Sequence, residues 1–282
     1  MLLGGGNSPG RAIVVNLTLA VVILAFMAPV VWMVTSSLRP NEEIFRYLSP
    51  LSVRAILPEE WTLENYRLLF ESAFRRALIN SLIVAGLTVA IGLILNAMAA
   101  YALSVLRFKL RELVFTLVVI SFLIPFEGVA IPLSFLARSW DLQNTYAGLV
   151  LPGVANGLSI FLLRQFFLSI PVELREAARV DGAGWWIIFW RIYLPLSRPA
   201  LIGSGLILFM FQWQAYLWPL LIASDSSMDL APVALGKQLG QFDFEFGQMF
   251  AGSVAVSLIP ALILFPLRRF LEQTIKSTGG KE

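Results

Sequence analysis

The side chains that could do chemistry are few in this sequence of 282 residues, which contains neither cysteine nor histidine. A chain without thiols or imidazoles forms no disulfide, no cysteine or histidine metal site and no serine–histidine nucleophile. An enzyme of this composition would depend on carboxylates, lysine, arginine, tyrosine or serine. We therefore predict no catalytic residue and no metal ligand.

The most informative spacing lies between residues 164 and 198. Pro171 suits the first turn of a helix, and Glu173 and Glu176 follow near the positive end of the helix dipole. Ala177-Ala178 are strong helix formers, and Gly182 can end the helix because glycine readily adopts the left-handed conformation. The pattern predicts a short helix followed by a turn.

A second short helix is predicted through the aromatic run 185–190. Leu194-Pro195 should stop it just before the next apolar stretch. Its aromatic face would hold the helix–turn–helix flat against a membrane surface.

Six apolar stretches must position this loop. The chain is 58% hydrophobic and only 14% charged, which excludes a single water-soluble globule. A helix of about 20 residues crosses about 30 Å of hydrocarbon, and each stretch is that long. We predict an all-α polytopic membrane protein, with one transmembrane domain over residues 1–282 and a cytoplasmic loop at 164–198. The predicted spans are 12–38, 77–106, 113–137, 142–163, 199–224 and 246–267.

Orientation follows from the lysines and arginines. With the amino terminus in the cytoplasm, the cytoplasmic segments carry 13 of them. The short outer segments carry 2, once the first outer loop (39–76) is set aside because its six arginines are balanced by six glutamates. Both termini are therefore expected in the cytoplasm. The first span has no A-x-A-like cleavage site after it and is expected to be uncleaved.

Aromatic residues and prolines give further expectations about the spans. Trp32, Tyr101 and Trp218 lie near span ends and fit interfacial anchoring. Prolines are expected to interrupt several spans, which membranes tolerate where protein or a water-lined cavity compensates. These prolines are Pro29, Pro125, Pro132, Pro152, Pro219 and Pro260.

The loop resembles a known family. Glu176-Ala177-Ala178, three residues, Gly182, nine residues, Ile192, one residue and Leu194-Pro195 match the EAA signature of ABC importer permeases. The runs 79–82, 142–146 and 164–171 are similar to the second permease of the maltose-type, carbohydrate-uptake branch. The resemblance extends over about residues 12–275.

The resemblance implies a permease subunit of the bacterial cytoplasmic membrane that moves a sugar or sugar-like solute by alternating access. It implies a sister permease, two copies of a cytoplasmic ABC ATPase, an extracytoplasmic solute-binding protein touched by residues 225–245, a carbohydrate substrate and membrane lipid, but no nucleic acid. The loop would dock into a groove of the ATPase. The implied coupling residues are Glu173, Glu176, Ala177, Ala178, Arg179, Asp181, Gly182, Ile192, Leu194 and Pro195.

No phosphate-binding loop of the form G-x-x-x-x-G-K-[ST] occurs in the chain. Before Gly236-Lys237, Ala231 replaces the first glycine, and Gln238 replaces the final hydroxyl residue. We therefore expect no cofactor in this chain and no enzymatic activity of its own. ATP and Mg²⁺ would be bound by the ATPase subunit.

Glu127 is the only ionisable residue inside a predicted span, and such residues are functional candidates. It lies between Pro125 and Gly128, where we expect the helix to break. Its carboxylate could accept hydrogen bonds from sugar hydroxyls. The alternative is that span three ends at Pro125 and Glu127 meets outside water.

Trp213, Gln214 and Tyr216 are further candidates for the solute pathway, because aromatic faces and amides suit sugar recognition. The family usually shows Trp-Asn followed by an acid here, whereas this chain has Gln214-Ala215. Interfacial anchoring is the alternative for Tyr216. Asn156 is also a pathway candidate, although it suits bridging between helices, as do Asn80 and Asn96.

Two other function classes remain open from the residues alone. An ion-coupled secondary carrier or channel usually needs several intramembrane titratable groups, and this chain offers one. A membrane-embedded enzyme would lack paired intramembrane carboxylates for acid–base chemistry. Copurification separates the classes, since only a permease should bring down an ATPase and a sister permease.

Overall fold

The computed structural model describes residues 9–50, 52–238 and 245–279, with side chains described between 13 and 267. These residues are mainly helical, and the helices are numbered here in chain order. They are α1 Pro9–Ser37, α2 Glu64–Glu71, α3 Phe74–Val105, α4 Arg111–Leu123, α5 Phe126–Ser139, α6 Tyr146–Val154, α7 Gly157–Leu168, α8 Val172–Val180, α9 Trp185–Leu196, α10 Arg198–Trp213, α11 Leu217–Ile222, α12 Ala231–Gln238 and α13 Phe246–Gly279.

Three single helices are long and apolar enough to cross a membrane: Ile13–Ser37, Phe74–Val105 and Phe246–Leu267. Three bent helix pairs meet the same requirement: α4 with α5, α6 with α7, and α9 with α10, bent by 99°, 43° and 84°. Counting each pair as one span gives up to six. The predicted class, an all-α polytopic membrane protein, is confirmed, but spans three to five are broken helices.

Only one of the helix breaks lies at a proline, as the sequence predicted. The α4–α5 bend falls at Ile124-Pro125, as expected. The α6–α7 bend falls at residues 155–156 and the α9–α10 bend at Ser197, and a further break between α10 and α11 falls at residues 214–216. Pro29, Pro132, Pro152 and Pro260 remain inside helices. The expectation that each of these prolines interrupts its span is therefore wrong.

Pro152 shows why a proline can stay inside a helix. It has no N–H to donate to the carbonyl of Gly148, four residues earlier. That carbonyl instead accepts a hydrogen bond of 2.9 Å from the indole Nε1 of Trp218. Because a neighbouring helix supplies the missing donor, α6 continues past the proline to Val154.

The described residues fall into two compact units. The first comprises the residues up to Ser72 with those between Gln238 and Ser257. Its extramembrane part is organised by Arg39, which is fully buried and donates to the carbonyls of Arg54, Ala55 and Ile56 at 3.2–3.4 Å. Burial lowers the pKa of Arg39, and the nearby carboxylate of Glu43 opposes that shift.

The second unit comprises Ala73–Lys237 with the described residues from Leu258 onward. It contains two apolar clusters. One, called here the aromatic cluster, centres on Tyr101, Phe167, Phe189 and Tyr193, whose rings lie 5.1–6.5 Å apart. The other contains Trp218 with Val84, Leu149, Ile222 and Leu230. Tyr101 and Trp218 are each 4% exposed, so their predicted role as interfacial anchors is wrong; both are interior residues.

Candidate coupling surface and translocation path

Helix α8 is a surface helix. Among its residues, none is buried, and the side chain of Val180 is 88% exposed. The carboxylates of Glu173 and Glu176 are exposed as well. An exposed helix with apolar and acidic side chains has a surface available to a partner.

The turn after α8 is fixed by hydrogen bonds. Gly182 has a φ of 81°, and its N–H donates to the carbonyl of Arg179 at 3.1 Å. The N–H of Ala183 donates to the carbonyl of Ala178 at 2.9 Å. These two bonds form a Schellman motif, which requires the left-handed conformation at the glycine. The predicted helix end at Gly182 is confirmed.

Arg179 closes the same turn from the side. Its Nη1 donates to the carbonyl of Ala183 at 3.1 Å, and its guanidinium lies 4.7 Å from the centre of the Trp185 ring. These contacts tie the end of α8 to the beginning of α9.

Helix α9 anchors the turn in the interior. Ile188, Phe189 and Tyr193 are at most 2% exposed and belong to the aromatic cluster. The hydroxyl of Tyr101, on α3, donates to the carbonyl of Trp185 at 3.0 Å. The loop is therefore held by the ends of α3 and α7 as well as by its own sequence.

The end of α9 lies within one residue of its predicted stop. The helix runs through Leu194-Pro195 to Leu196, and the chain bends at Ser197, before the next apolar stretch. The turn Phe189–Tyr193 is a π-helix, and the N–H of Leu194 donates to the carbonyl of Phe189. In this widened turn the helix tolerates Pro195, which has no backbone N–H to donate.

The ten predicted coupling residues thus have three structural roles. Arg179 and Gly182 shape the turn. Ala178, Ile192 and Leu194 pack against the aromatic cluster. The exposed members are Glu173, Glu176, Ala177, Asp181 and Pro195.

Arg164, which the sequence analysis does not single out, organises this end of the bundle. Its guanidinium donates from Nε to the carbonyl of Leu103 at 3.1 Å and from Nη2 to both carboxylate oxygens of Glu112 at 3.2 Å. It also lies 3.8 Å from the centre of the Phe115 ring. Its position directly after the apolar span four was the only sequence signal.

The breaks of spans three, four and five lie close together. A Cβ at Gly157, just after the span-four break, would lie 2.8 Å from the carbonyl of Val118 and 2.9 Å from Phe122, near the end of α4. A Cβ at Gly153, just before that break, would overlap the amide oxygen of Gln212, near the end of α10. Three helix interruptions therefore share one region of the second unit.

Glu127 lies beside this region, in the first turn of α5. Its side chain is exposed, and within the described part of the chain it has no hydrogen bond or ion pair. The preceding Phe126 packs edge-on against Trp218, with ring centres 6.0 Å apart. A break at Pro125 agrees with both interpretations of Glu127, whose role in the pathway stays a prediction.

The other pathway candidates do not share one surface. Trp213 is 3% exposed and stacks on Phe209, with ring centres 5.4 Å apart. Gln214 is exposed at the end of α10, and Tyr216 is 46% exposed. The structure thus separates the interior aromatic from the exposed amide and phenol.

The asparagines bridge and cap helices, as their alternative interpretation predicted. The Asn156 side chain caps α7 by accepting from the N–H of Ser159 at 2.9 Å, and its own N–H donates to the side-chain oxygen of Asn96 at 3.1 Å. Asn80 donates to the carbonyls of Ser227 and Asp229 at 2.9 and 3.0 Å.

Residues 225–238 are the described first part of the segment expected to contact the binding protein, and hydrogen bonds and an ion pair hold them in place. Asp229 is 5% exposed and pairs with Lys237 of α12 at 2.7 Å. The Asp225 side chain accepts from the N–H of Ser227 at 2.8 Å, and this bond lowers the pKa of Asp225. Asp225 and Asp229 therefore have partners within this segment, and Asp243 lies outside the described residues.

Residues 89–277 match the sequence profile of the family described as the binding-protein-dependent transport system inner membrane component. The chain belongs to this family. It is similar to the arabinooligosaccharides transport system permease protein AraQ of Halalkalibacterium halodurans, at 33% identity over 88% of this chain and 89% of the relative. The sn-glycerol-3-phosphate transport system permease protein UgpE of Pectobacterium atrosepticum is 31% identical over 94% of this chain and 95% of the relative.

The fold of the permease is also found in a solved structure. That crystal structure is of a bacterial ABC transporter involved in the import of the acidic polysaccharide alginate. The TM-score is 0.81 at 22% identity, covering 94% of the permease and 98% of the matched chain. The permease is thus a multi-pass inner-membrane component with the ABC permease fold, and the comparisons give no support to an ion-coupled carrier.

Proposed function

We propose that the permease conducts a sugar or sugar-like solute across the bacterial cytoplasmic membrane as part of an ATP-driven importer. The names of the relatives AraQ and UgpE concern hydroxyl-rich solutes, which supports this substrate class. The importer works by alternating access. Both termini of the permease lie in the cytoplasm.

The complete importer comprises this permease, a sister permease, two copies of a cytoplasmic ATPase and an extracytoplasmic solute-binding protein. The family description, a component of a binding-protein-dependent system, supports the last of these. ATP and Mg²⁺ are bound by the ATPase, and the permease itself hydrolyses nothing. Residues 225–245 contact the binding protein.

The single observation that carries this proposal is the structure of the loop from α8 to α9. Helix α8 leaves all its residues unburied, while α9 inserts Ile188 and Phe189 fully into the interior. An exposed helix joined to a buried one by a Schellman turn is suited to receive a displacement outside the bundle and deliver it inside. Closure of the ATPase dimer would move α8, and the aromatic cluster would pass the motion to α3 and α7.

The solute pathway uses the region of the three helix breaks. Glu127 supplies a carboxylate there, and Trp213, Gln214, Tyr216 and Asn156 complete the predicted set. The side chain of Glu127 is exposed and has no partner within the described residues, which supports its binding to the solute. Trp213 and Asn156 act indirectly: Trp213 fixes the end of α10, and Asn156 fixes the beginning of α7.

The test is transport by the purified assembly. The permease and its copurifying subunits are reconstituted into vesicles. Uptake of a panel of labelled oligosaccharides and glycerol phosphates is then measured with and without ATP on the side of the membrane where the ATPase lies. We expect ATP-dependent uptake of at least one hydroxyl-rich solute and copurification of an ATPase. Uptake driven by a proton or sodium gradient without ATP would contradict the proposal.

A further inference from the structure

The linker between α3 and α4 is a basic surface that the coupling loop does not use. It contains Arg107, Lys109 and Arg111 within five residues, and an open groove of about 530 Å³ runs along residues 107–109, 111 and 112. Within the described residues, the side chains of Arg107 and Lys109 have no hydrogen bond or ion pair, and both are exposed.

Among the described residues that line this groove, Glu112 is the only acid, and it is already paired. Glu112 accepts from Arg164 through both carboxylate oxygens, and Arg111 donates to the same carboxylate from Nε at 3.0 Å. Arg111 and Arg164 thus share the Glu112 carboxylate. Arg107 and Lys109 stay without a counter-charge among the described residues, which leaves a local excess of positive charge. A surface of this kind attracts an anion.

Apolar side chains alternate with these cations. Phe108, Leu110 and Leu113 are 43%, 60% and 55% exposed. The linker joins the ends of two membrane helices, so these side chains lie where hydrocarbon meets headgroups. A free phosphate or an acidic protein surface needs no such apolar neighbours, whereas a phospholipid presents a phosphate and an acyl chain together.

The linker lies at the same end of the bundle as the coupling loop. Leu106 and Phe115, which flank it, pack against the same aromatic cluster as Ala178, Ala183 and Ile188. A ligand held at the linker therefore contacts the helix ends that support the α8–α9 loop.

We propose that the groove formed by residues 107–112 binds the headgroup phosphate of an anionic phospholipid, with Arg107 and Lys109 as its ligands and Phe108 and Leu110 against the acyl chains. The site lies outside the solute path. Its occupant stabilises the end of the bundle on which the coupling loop rests. The inference does not depend on the nature of the transported solute.

The test is native mass spectrometry of the full permease with its copurifying subunits, in micelles titrated with dioctanoyl phosphatidylglycerol, dioctanoyl phosphatidylcholine or inorganic phosphate. The proposed variant is the double substitution Arg107→Gln with Lys109→Gln. The matched control is Arg75→Gln with Arg76→Gln, which removes two adjacent exposed cations at the opposite end of α3.

Each cation near an anionic lipid contributes about a factor of five in affinity, so loss of both should weaken phosphatidylglycerol binding about 25-fold. We expect the wild type and the control to prefer phosphatidylglycerol to phosphatidylcholine, and the double variant to lose that preference. Equal binding of both lipids by the wild type, or an unchanged preference in the double variant, would overturn the proposal. So would saturation of the site by inorganic phosphate alone. Loss of the ATPase from the double variant with unchanged lipid preference would assign the surface to a protein instead.

Discussion

The indole of Trp218 donates its hydrogen bond to the carbonyl of Gly148, the group left without a helical partner by Pro152. The second half of span five thereby completes the backbone hydrogen bonding of span four. This bond joins α11 to α6, and it cannot be predicted from the sequence of either helix alone.

Trp218→Phe should therefore destabilise the permease by about 1–3 kcal/mol, because the Gly148 carbonyl is left buried and unpaired. Pro152→Ala restores the helical N–H, so Trp218→Phe should cost less in that background. Thermal midpoints of the four proteins in one detergent form a double-mutant cycle. Additive effects would show that the bond does not compensate for the proline.

Gly182→Val should uncouple the importer without preventing membrane insertion. A φ of 81° costs a side chain about 1–2 kcal/mol, and more for a β-branched residue, so the Schellman turn would open. Gly184→Val is the control, since Gly184 has a φ of −71° and open space for a Cβ, as Gly182 does. The amount of solute taken up per ATP hydrolysed should fall in Gly182→Val and stay unchanged in Gly184→Val. Equal uptake by both variants would exclude a role for the left-handed turn.

Glu176→Lys should leave the stability of the permease within about 0.5 kcal/mol of wild type, because its side chain is 68% exposed. In the proposed assembly it should weaken binding of the ATPase, whose basic residue would lose its partner. The amount of ATPase retained on the immobilised permease measures this. Glu60→Lys, an exposed charge reversal in the first loop, is the control. Equal retention by both variants would remove Glu176 from the interface.

Glu127→Leu should reduce solute uptake at saturating binding protein, while Glu127→Gln should retain more of it, since an amide still bonds to hydroxyls. Folding should not change, because the side chain is exposed and has no partner within the described residues. Uptake rates in vesicles decide between the interpretations. Wild-type uptake by Glu127→Leu would place this residue in outside water.

Tyr101→Phe removes the hydrogen bond to the carbonyl of Trp185 and should cost about 1 kcal/mol in stability. If α9 transmits motion, the number of solutes moved per ATP should fall more than the thermal midpoint suggests. Tyr146→Phe, which removes a 2.8 Å bond to Asn80 elsewhere in the same unit, is the control. A similar drop in both variants would indicate a general loss of stability.

The sequence predicted the helical spans and the turn at Gly182 because each depends on local properties: uninterrupted apolar length, and a glycine after small helix formers. The positions of the helix breaks could not be predicted from such local properties. Pro152 and Pro195 remain helical through a neighbouring indole and a widened turn, and both depend on tertiary contacts. The burial of Arg164, Tyr101 and Trp218 likewise follows from packing between distant helices.

Helix α8 contributes no buried residue; Ala178 packs on the interior cluster, and the side chain of Arg175 hydrogen-bonds to Tyr193. The folding free energy of the permease therefore depends little on the outward side chains of Val172–Val180. In the proposed assembly those positions are free to evolve with the ATPase surface they meet. In that assembly, one set of residues binds the ATPase and another set maintains the membrane fold. The ATPase-binding residues can therefore change without altering the fold.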